Sequence, residues 1–349
     1  MSLTFYVFKF LIISGLAFIL SFIWAPILDK FLHQHKLVKQ IRPSSSAPIF
    51  FSLHKNKKET PTSAGLLIWL TVAVLTLLFY VLSYFTDLDI FKSFNFLSRK
   101  ETFLPLGALI ASGIIGLVDD FLNIKGIGPH GGGLKMRHRL ILYTLVALFG
   151  AWWFYFKLDW DIIRIPFIGT FNLGFWYILL FVFVIVATSF SVNETDGLDG
   201  LAGGVLLICF GAYAAISFFQ GRYDLVAFCG AIIGSLVAFL WFNIYPARFF
   251  MGNTGAMSLG VVLGIIAMLT NEFLLLPFIG FILVFESFSV IIQVLSKKIR
   301  KKKIFLSTPI HHHFEALGWP EPKVVMRFWL ISGVGAIAGL IIFLLEQIL

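Results

Sequence analysis

FYVFKFLIISGLAFILSFIW, Phe5 to Trp24, is twenty residues with one charge, Lys9. An α-helix needs about 20 mostly apolar residues to cross the hydrocarbon of a bilayer. The run is long enough to span, and it lacks the small-residue cleavage site of a signal peptide. It reads as a retained transmembrane helix. The rest of the chain agrees: 59% of its 349 residues are hydrophobic and 13% are charged, whereas soluble domains carry about 25% charged residues. So much apolar surface does not fit into one aqueous core.

Ten such stretches are predicted, at 5–24, 65–85, 102–118, 140–156, 174–190, 200–219, 224–243, 255–271, 273–296 and 327–346. The fold expected is an all-α integral membrane protein with about ten transmembrane helices in a single domain, 1–349. There is no internal repeat and no sign of a soluble domain. Between the spans the charge is uneven. Loops 25–64, 119–139, 191–199, 244–254 and 297–326, with Arg327, hold twenty Lys and Arg; loops 86–101, 157–173 and 220–223 hold six. Basic loops stay in the cytoplasm, which places both termini outside and every unusual polar motif on the cytoplasmic face. The net charge of +9 then belongs with anionic membrane lipid and not with nucleic acid. The external loops look plain, except that 157–173, with Ile162, Ile165 and Phe167 around Pro166 and Gly169, has the pattern of a small hairpin. Cys209 and Cys229 lie in apolar runs without metal-site spacing and read as small buried residues.

The cytoplasmic motifs carry chemistry. GLVDDFLNIKG ends the third span with Asp119 and Asp120, adjacent acids at a helix end that already carries negative partial charge. Such a pair calls for water, a cation or a metal. SVNETDGLDGLAGG, Ser191 to Gly204, offers Asn193, Asp196 and Asp199 as hard oxygen ligands suited to Mg²⁺. In NIYPARFFMGNTGAMSLG, Asn243 to Gly260, residues 252–255 precede a helix start whose N–H groups can hold an anion such as a diphosphate. The first cytoplasmic loop brings Lys55, Lys57 and Lys58; KKIRKKK, Lys297 to Lys303, reads as a topology anchor. Glu286 is an acid inside the ninth span with no partner legible from sequence. TPIHHHFEALGWPEPKVVMRFW, Thr308 to Trp329, sets His311, His312 and His313 before a Gly-Trp-Pro turn. Consecutive side chains diverge, so one metal does not take all three. Acids, cations and a water-accessible rim together are the parts of phosphoryl transfer.

These motifs, spread from Thr60 to Trp329, resemble those of the phospho-N-acetylmuramoyl-pentapeptide transferases. The HHHFEALGWPEP run is similar to that branch of the polyprenyl-phosphate transferase superfamily and not to its N-acetylglucosamine or N-acetylgalactosamine branches. The resemblance implies an enzyme of the bacterial cytoplasmic membrane that joins UDP-N-acetylmuramoyl-pentapeptide to undecaprenyl phosphate and releases UMP, with Mg²⁺, ten helices, external termini, a cytoplasmic site and a homodimer. By motif it implies that Asp119 and Asp120 are the Asp-Asp pair, the first a candidate base. Asn193, Asp196, Gly197, Leu198 and Asp199 match the Asn-x-Thr-Asp-Gly-Leu-Asp-Gly motif. Gly197 to Asp199, with Asn243 and Phe250, are similar to a uridine-binding wall, Lys57 to a basic residue near the nucleotide, and His311, His312 and His313 to the histidine motif.

The chain departs from the pattern where Asn123 replaces a lysine, with Lys125 two residues on, and where Arg139 replaces another. Thr-Pro-Thr-Ser-Ala-Gly stands at 60–65 where Met-Gly-Gly is usual. The largest departure is Asn253, in place of the aspartate implied as principal Mg²⁺ ligand. An amide oxygen lacks the charge, so the metal is expected to bind more weakly. Compensation by Asp196 or Asp199, an altered variant and low activity all stay open. A sister transferase, a weakly active paralogue, and a transporter or flippase are the competing functions.

Overall fold

The computed structural model describes residues 2–38, 57, 59–128 and 132–349. Among the described residues, nine helices are long and apolar enough to cross a membrane, and a bent pair makes up to ten. In chain order the helices are α1 (Leu3–Gln34), α2 (Leu66–Phe85), the short α3 (Asp89–Phe94), α4 (Phe103–Ile124), α5 (Met136–Lys157), α6 (Trp176–Thr195), α7 (Leu201–Phe219), α8 (Tyr223–Asn243), α9 (Gly252–Leu269), α10 (Leu276–Ile279), α11 (Phe281–Ile299), α12 (Ile310–Ala316) and α13 (Glu321–Ile348). The protein is an all-α, multi-pass membrane protein.

Several helices run past their predicted ends. An apolar window stops at the first charge, but a helix stops only where its backbone loses partners. Thus α1 continues beyond Trp24 to Gln34 because Asp29 is buried and meets Arg248 at 2.8 Å and His33 at 3.0 Å. Helices α4 and α6 likewise carry Asp119, Asp120 and Asn193 within them. The predicted single span 273–296 is instead broken. A 3₁₀ turn at Phe273–Leu275 leads into α10, and the chain turns by 85° at Gly280 before α11. Helix α13 packs on that break through glycine: a Cβ at Gly339 would stand 2.6 Å from Ile279 Cγ1.

Helix α9 forms the axis of the bundle, with every residue from Gly252 to Leu269 buried. A helix surrounded by other helices needs small residues where their backbones approach. At Gly260 an added Cβ would lie 2.7 Å from Ser189 Cα of α6. Helix α4 packs on the other flank of α9, while α1, α2 and α7 pack around α8.

At the opposite end from the motifs, β1 (Ile162–Ile165) pairs antiparallel with β2 (Gly169–Asn172), Ile162 opposite Asn172. This is the hairpin its sequence pattern predicts. That end is not plain, however. Arg164 Nε is 2.8 Å from Glu346 Oε1, its Nη1 is 3.6 Å from Glu272 Oε1, and its backbone N–H donates to Asn271 Oδ1. Cys209 and Cys229 are buried free thiols.

Candidate active site

The polar motifs converge where α4, α6 and α11 end and α2, α9 and α13 begin. The N-terminus of α9 organises the region. Its first N–H groups have no partner within the helix, and Asp120, from α4, supplies them. Asp120 Oδ1 accepts from Asn253 N at 2.9 Å, and Oδ2 from Thr254 N at 3.1 Å. The anion at this helix start is therefore the protein's own carboxylate, not an open diphosphate cradle. Gly252 makes the approach possible: it has φ +73°, and a Cβ would stand 2.5 Å from Asp120 Oδ2 and 2.8 Å from Ser63 N. Thr254 Oγ1 locks the same turn, donating to Gly113 O at 2.7 Å and accepting from Trp69 Nε1 at 2.9 Å.

Beside this cap, four side chains from four helices close a ring. Asn253 Nδ2 donates to Asp119 Oδ2 at 2.9 Å. Asn193 Nδ2 donates to Asn253 Oδ1 at 2.9 Å. Arg139 Nη1 donates to Asn193 Oδ1 at 3.4 Å, and Arg139 Nε returns to Asp119 Oδ2 at 2.7 Å. Asp119 Oδ1 accepts from Leu134 N at 2.6 Å. Asp119 is fully buried and Arg139 is 16% exposed, so the guanidinium forms the solvent edge of the ring.

A second cluster lies on the 196–200 loop. Lys57 Nζ is 2.5 Å from Asp199 Oδ1 and 2.6 Å from Glu321 Oε1. Glu321 Oε1 also accepts from Asp199 N at 2.7 Å, and Asp199 Oδ2 accepts from Ala247 N at 3.0 Å. Asn243 ties the loop to its neighbour, accepting from Gly200 N at 3.1 Å and donating to Phe249 O at 2.8 Å. Phe250 and Tyr245 place their rings 5.7 and 5.9 Å from Lys57 Nζ, and Leu198 is buried in the same loop. Glu321 was not singled out from sequence. Its signal was its place, first in α13 and inside the GWPEPK run, where an acid suits a helix N-terminus. Lys55 and Lys58 lie outside the described residues.

The three histidines diverge on α12. His311 is fully buried, with Nδ1 3.0 Å from Glu286 Oε1 and its N–H donating to Glu286 Oε2 at 3.4 Å. The partner that sequence could not name for Glu286 is thus His311. The imidazole lies on Gly197, where a Cβ would stand 2.7 Å from His311 Cε1. His312 Nδ1 is 2.7 Å from Glu315 Oε2. His313 turns away, accepting from Leu306 N at 3.2 Å. The structure therefore brings His311 onto the 196–200 loop and leaves His312 and His313 bonded within their own segment.

Among the described residues, no group of three or more His, Cys, Asp and Glu is arranged to hold a metal ion. The expected ligands explain why. Asp199 faces Lys57, and Asp119 faces Arg139 and an amide donor. The Asn253 oxygen is taken by Asn193. Asp196 caps the end of α6, half-buried. As arranged, Asp119, Asp199 and Asn253 do not fit a divalent cation.

Comparison with known proteins bears on these motifs. The glycosyl transferase family 4 model matches residues 102–271. A phospho-N-acetylmuramoyl-pentapeptide-transferase of Chloroflexus aggregans is 38% identical over 343 residues, covering 95% of this chain and 88% of the relative. The enzyme of the same name from Geobacillus sp. strain WCH70 is 38% identical over 94% of this chain and 95% of its own length. That of Bacillus subtilis is 37% identical over 95% and 97%. With that identity along nearly its whole length, the chain belongs to the phospho-N-acetylmuramoyl-pentapeptide-transferase family.

Proposed function

We propose that this protein transfers phospho-N-acetylmuramoyl-pentapeptide from its UDP-linked donor to undecaprenyl phosphate, forming lipid I for peptidoglycan, and hence for cell shape and division, and releasing UMP. Beyond the family relationship, one observation carries the reading: the Asp119–Arg139 pair and the Lys57–Asp199 pair lie at the same end of the bundle, joined by the Asn193–Asp199 segment.

In this reading a lipid phosphate oxygen attacks the donor's β-phosphorus in line. The new P–O bond forms as the bond from the β-phosphorus to the bridging oxygen breaks, and UMP leaves with that oxygen. Asp119 accepts the proton of the lipid phosphate. Arg139 and Lys57 are the fixed cations toward which phosphate charge develops, held in place before the reaction so that no reorganisation is needed. Gly197, Leu198 and Asp199, with Asn243 and Phe250, form the wall for the uridine. Glu286 holds His311 against that wall. Any Mg²⁺ would be held by the donor's own diphosphate, where it would neutralise phosphate charge, since Mg²⁺ commonly binds through substrate phosphates. The site faces the cytoplasm of the inner membrane with both termini outside, a topology supported by the loop-charge asymmetry of twenty against six. The proposed assembly is a homodimer.

The test is UMP release by the purified protein with both substrates and Mg²⁺, beside K57A and D119N. Release by the wild type that falls at least about a hundredfold in each variant supports the reading. Release only with a different UDP-amino sugar would replace it with a sister transferase. Binding of donor and lipid without release would replace it with a paralogue that does not turn over.

A further inference from the structure

We propose that Arg139 carries the countercharge of Asp119 and the neutral Asn253 amide donates to it, so that the resting site takes up no divalent cation of its own. The sequence alone leaves three ways open for a chain with Asn253. The geometry argues against one of them, compensation by Asp199, which is held by Lys57.

Asn253 is 3% exposed and its orientation is dictated by its neighbours. Turned over, its oxygen would face Asp119 Oδ2 at 2.9 Å and its nitrogen would face Asn193 Nδ2 at the same distance. The first contact sets acceptor against acceptor and the second donor against donor. As placed, both contacts are hydrogen bonds, and the amide meets Asp119 as a donor. A carboxylate at 253 would reverse this. Two carboxylates about 3 Å apart cannot both stay ionised without a cation between them. The neutral amide removes the need for that cation, and Arg139 at 2.7 Å already supplies one positive charge.

Asp120 and Asp199 do not restore a metal site. Both oxygens of Asp120 accept from the α9 backbone, and Asp199 is held by Lys57 and Ala247. A divalent ion entering beside Asp119 would have to displace the guanidinium or sit against it.

The experiment uses the full chain purified in detergent, without nucleotide or lipid, titrated with Mn²⁺ and followed by the free-ion paramagnetic resonance signal. Unfolding temperature with and without Mg²⁺ is the second readout. The wild type is expected to show no saturable site and no Mg²⁺-dependent stabilisation. N253D is expected to gain one Mn²⁺ site at least about tenfold tighter than any wild-type binding, displaceable by Mg²⁺, because ligand charge sets divalent affinity. R139Q keeps Asn253 and removes the competing cation, so it too should take up more Mn²⁺ than the wild type; it decides the matter if N253D does not fold. One Mg²⁺-displaceable site in the wild type as tight as in N253D would overturn the proposal. So would Mn²⁺ binding that stays absent in every folded variant, since neither group would then control the site. No substrate is present, so the outcome is separate from that of the UMP-release test.

Discussion

Asn253 Nδ2 donates to Asp119 Oδ2 across 2.9 Å, joining the first turn of α9 to the last turns of α4. The two helices meet there at glycine, since any side chain on Gly116 would strike the backbone of Asn253. The bond is therefore set by helix packing as much as by the two side chains. It also divides the Asp pair: Asp119 enters a side-chain ring, while Asp120 binds backbone.

That division predicts different phenotypes. D120A removes the acceptor for two buried N–H groups at the start of α9 and should cost about 2 kcal/mol of stability. D119N can keep the Asn253 and Arg139 contacts only by turning its amide nitrogen onto the Leu134 N–H, so it loses one acceptor where D120A loses two and should cost about half as much stability, while UMP release falls at least about a hundredfold. Thermal unfolding in detergent, run beside the release assay, separates the two. Equal destabilisation by both would mean that Asp119 is structural.

Lys57 lies between two carboxylates and is 18% exposed. K57M leaves Asp199 and Glu321 buried without their cation, a change of about 3 to 5 kcal/mol. Adding E321Q removes one of the stranded charges. The double variant should regain much of the lost stability yet none of the UMP release, as the proposed role of Lys57 as a cation for the donor phosphates requires. Recovery of both would remove Lys57 from substrate binding.

Gly197 leaves room for the His311 ring. G197A should push the imidazole off the 196–200 loop and raise KM for the UDP donor at least about tenfold, with a smaller effect on KM for the lipid. E286L, which removes the partner of His311, should move the same parameter, whereas E286Q, which keeps a hydrogen-bonding oxygen, should restore most of it. Unchanged donor KM in G197A would detach His311 from the nucleotide wall.

At the other end of the bundle, burial pushes the Glu272 carboxyl up to about 7 from its ordinary 4.5; Arg164 opposes the rise and Glu346 adds to it. The folded state thus binds the proton more tightly than the unfolded state. Stability is greatest below pH 4.5 for this group and falls as pH rises toward 7, by roughly 2 to 3 kcal/mol. E272Q should flatten the unfolding temperature between pH 5 and 7, windows set by those two values. A profile as steep as that of the wild type would show that another group titrates there.

Much of the molecule is legible in its residues. Phe5–Trp24 and its counterparts reveal a membrane protein because transfer of apolar side chains out of water is a local property, summed over about 20 residues. The hairpin is legible locally as well, since Pro166 and Gly169 mark a turn after the Ile162–Ile165 run. The motif residues are legible as polar groups: Asp119 and Asn193 share one cluster through Arg139, Lys57 and Asp199 share a second, and His311 adjoins the second at Gly197.

What tertiary structure decided is which of those groups meet. Hydropathy placed the ends of α1, α4 and α6 at residues 24, 118 and 190, but Asp29, Asp119 and Asn193 stay helical because partners from elsewhere in the fold satisfy them. Pro277 and Gly280 mark a break locally, but not its 85° angle, which is set where α13 packs across α10. Glu286 had no partner until α12 brought His311 onto it, 25 residues along the chain. Asn253 by itself reads as a missing charge. Only the packing of α4, α5, α6 and α9 shows that Asn193 and Asp119 meet it and that Arg139, bridging those two, closes the ring. Composition acts over neighbours in sequence, whereas hydrogen bonds and ion pairs act over about 3 Å in space, and only the folded chain sets those distances.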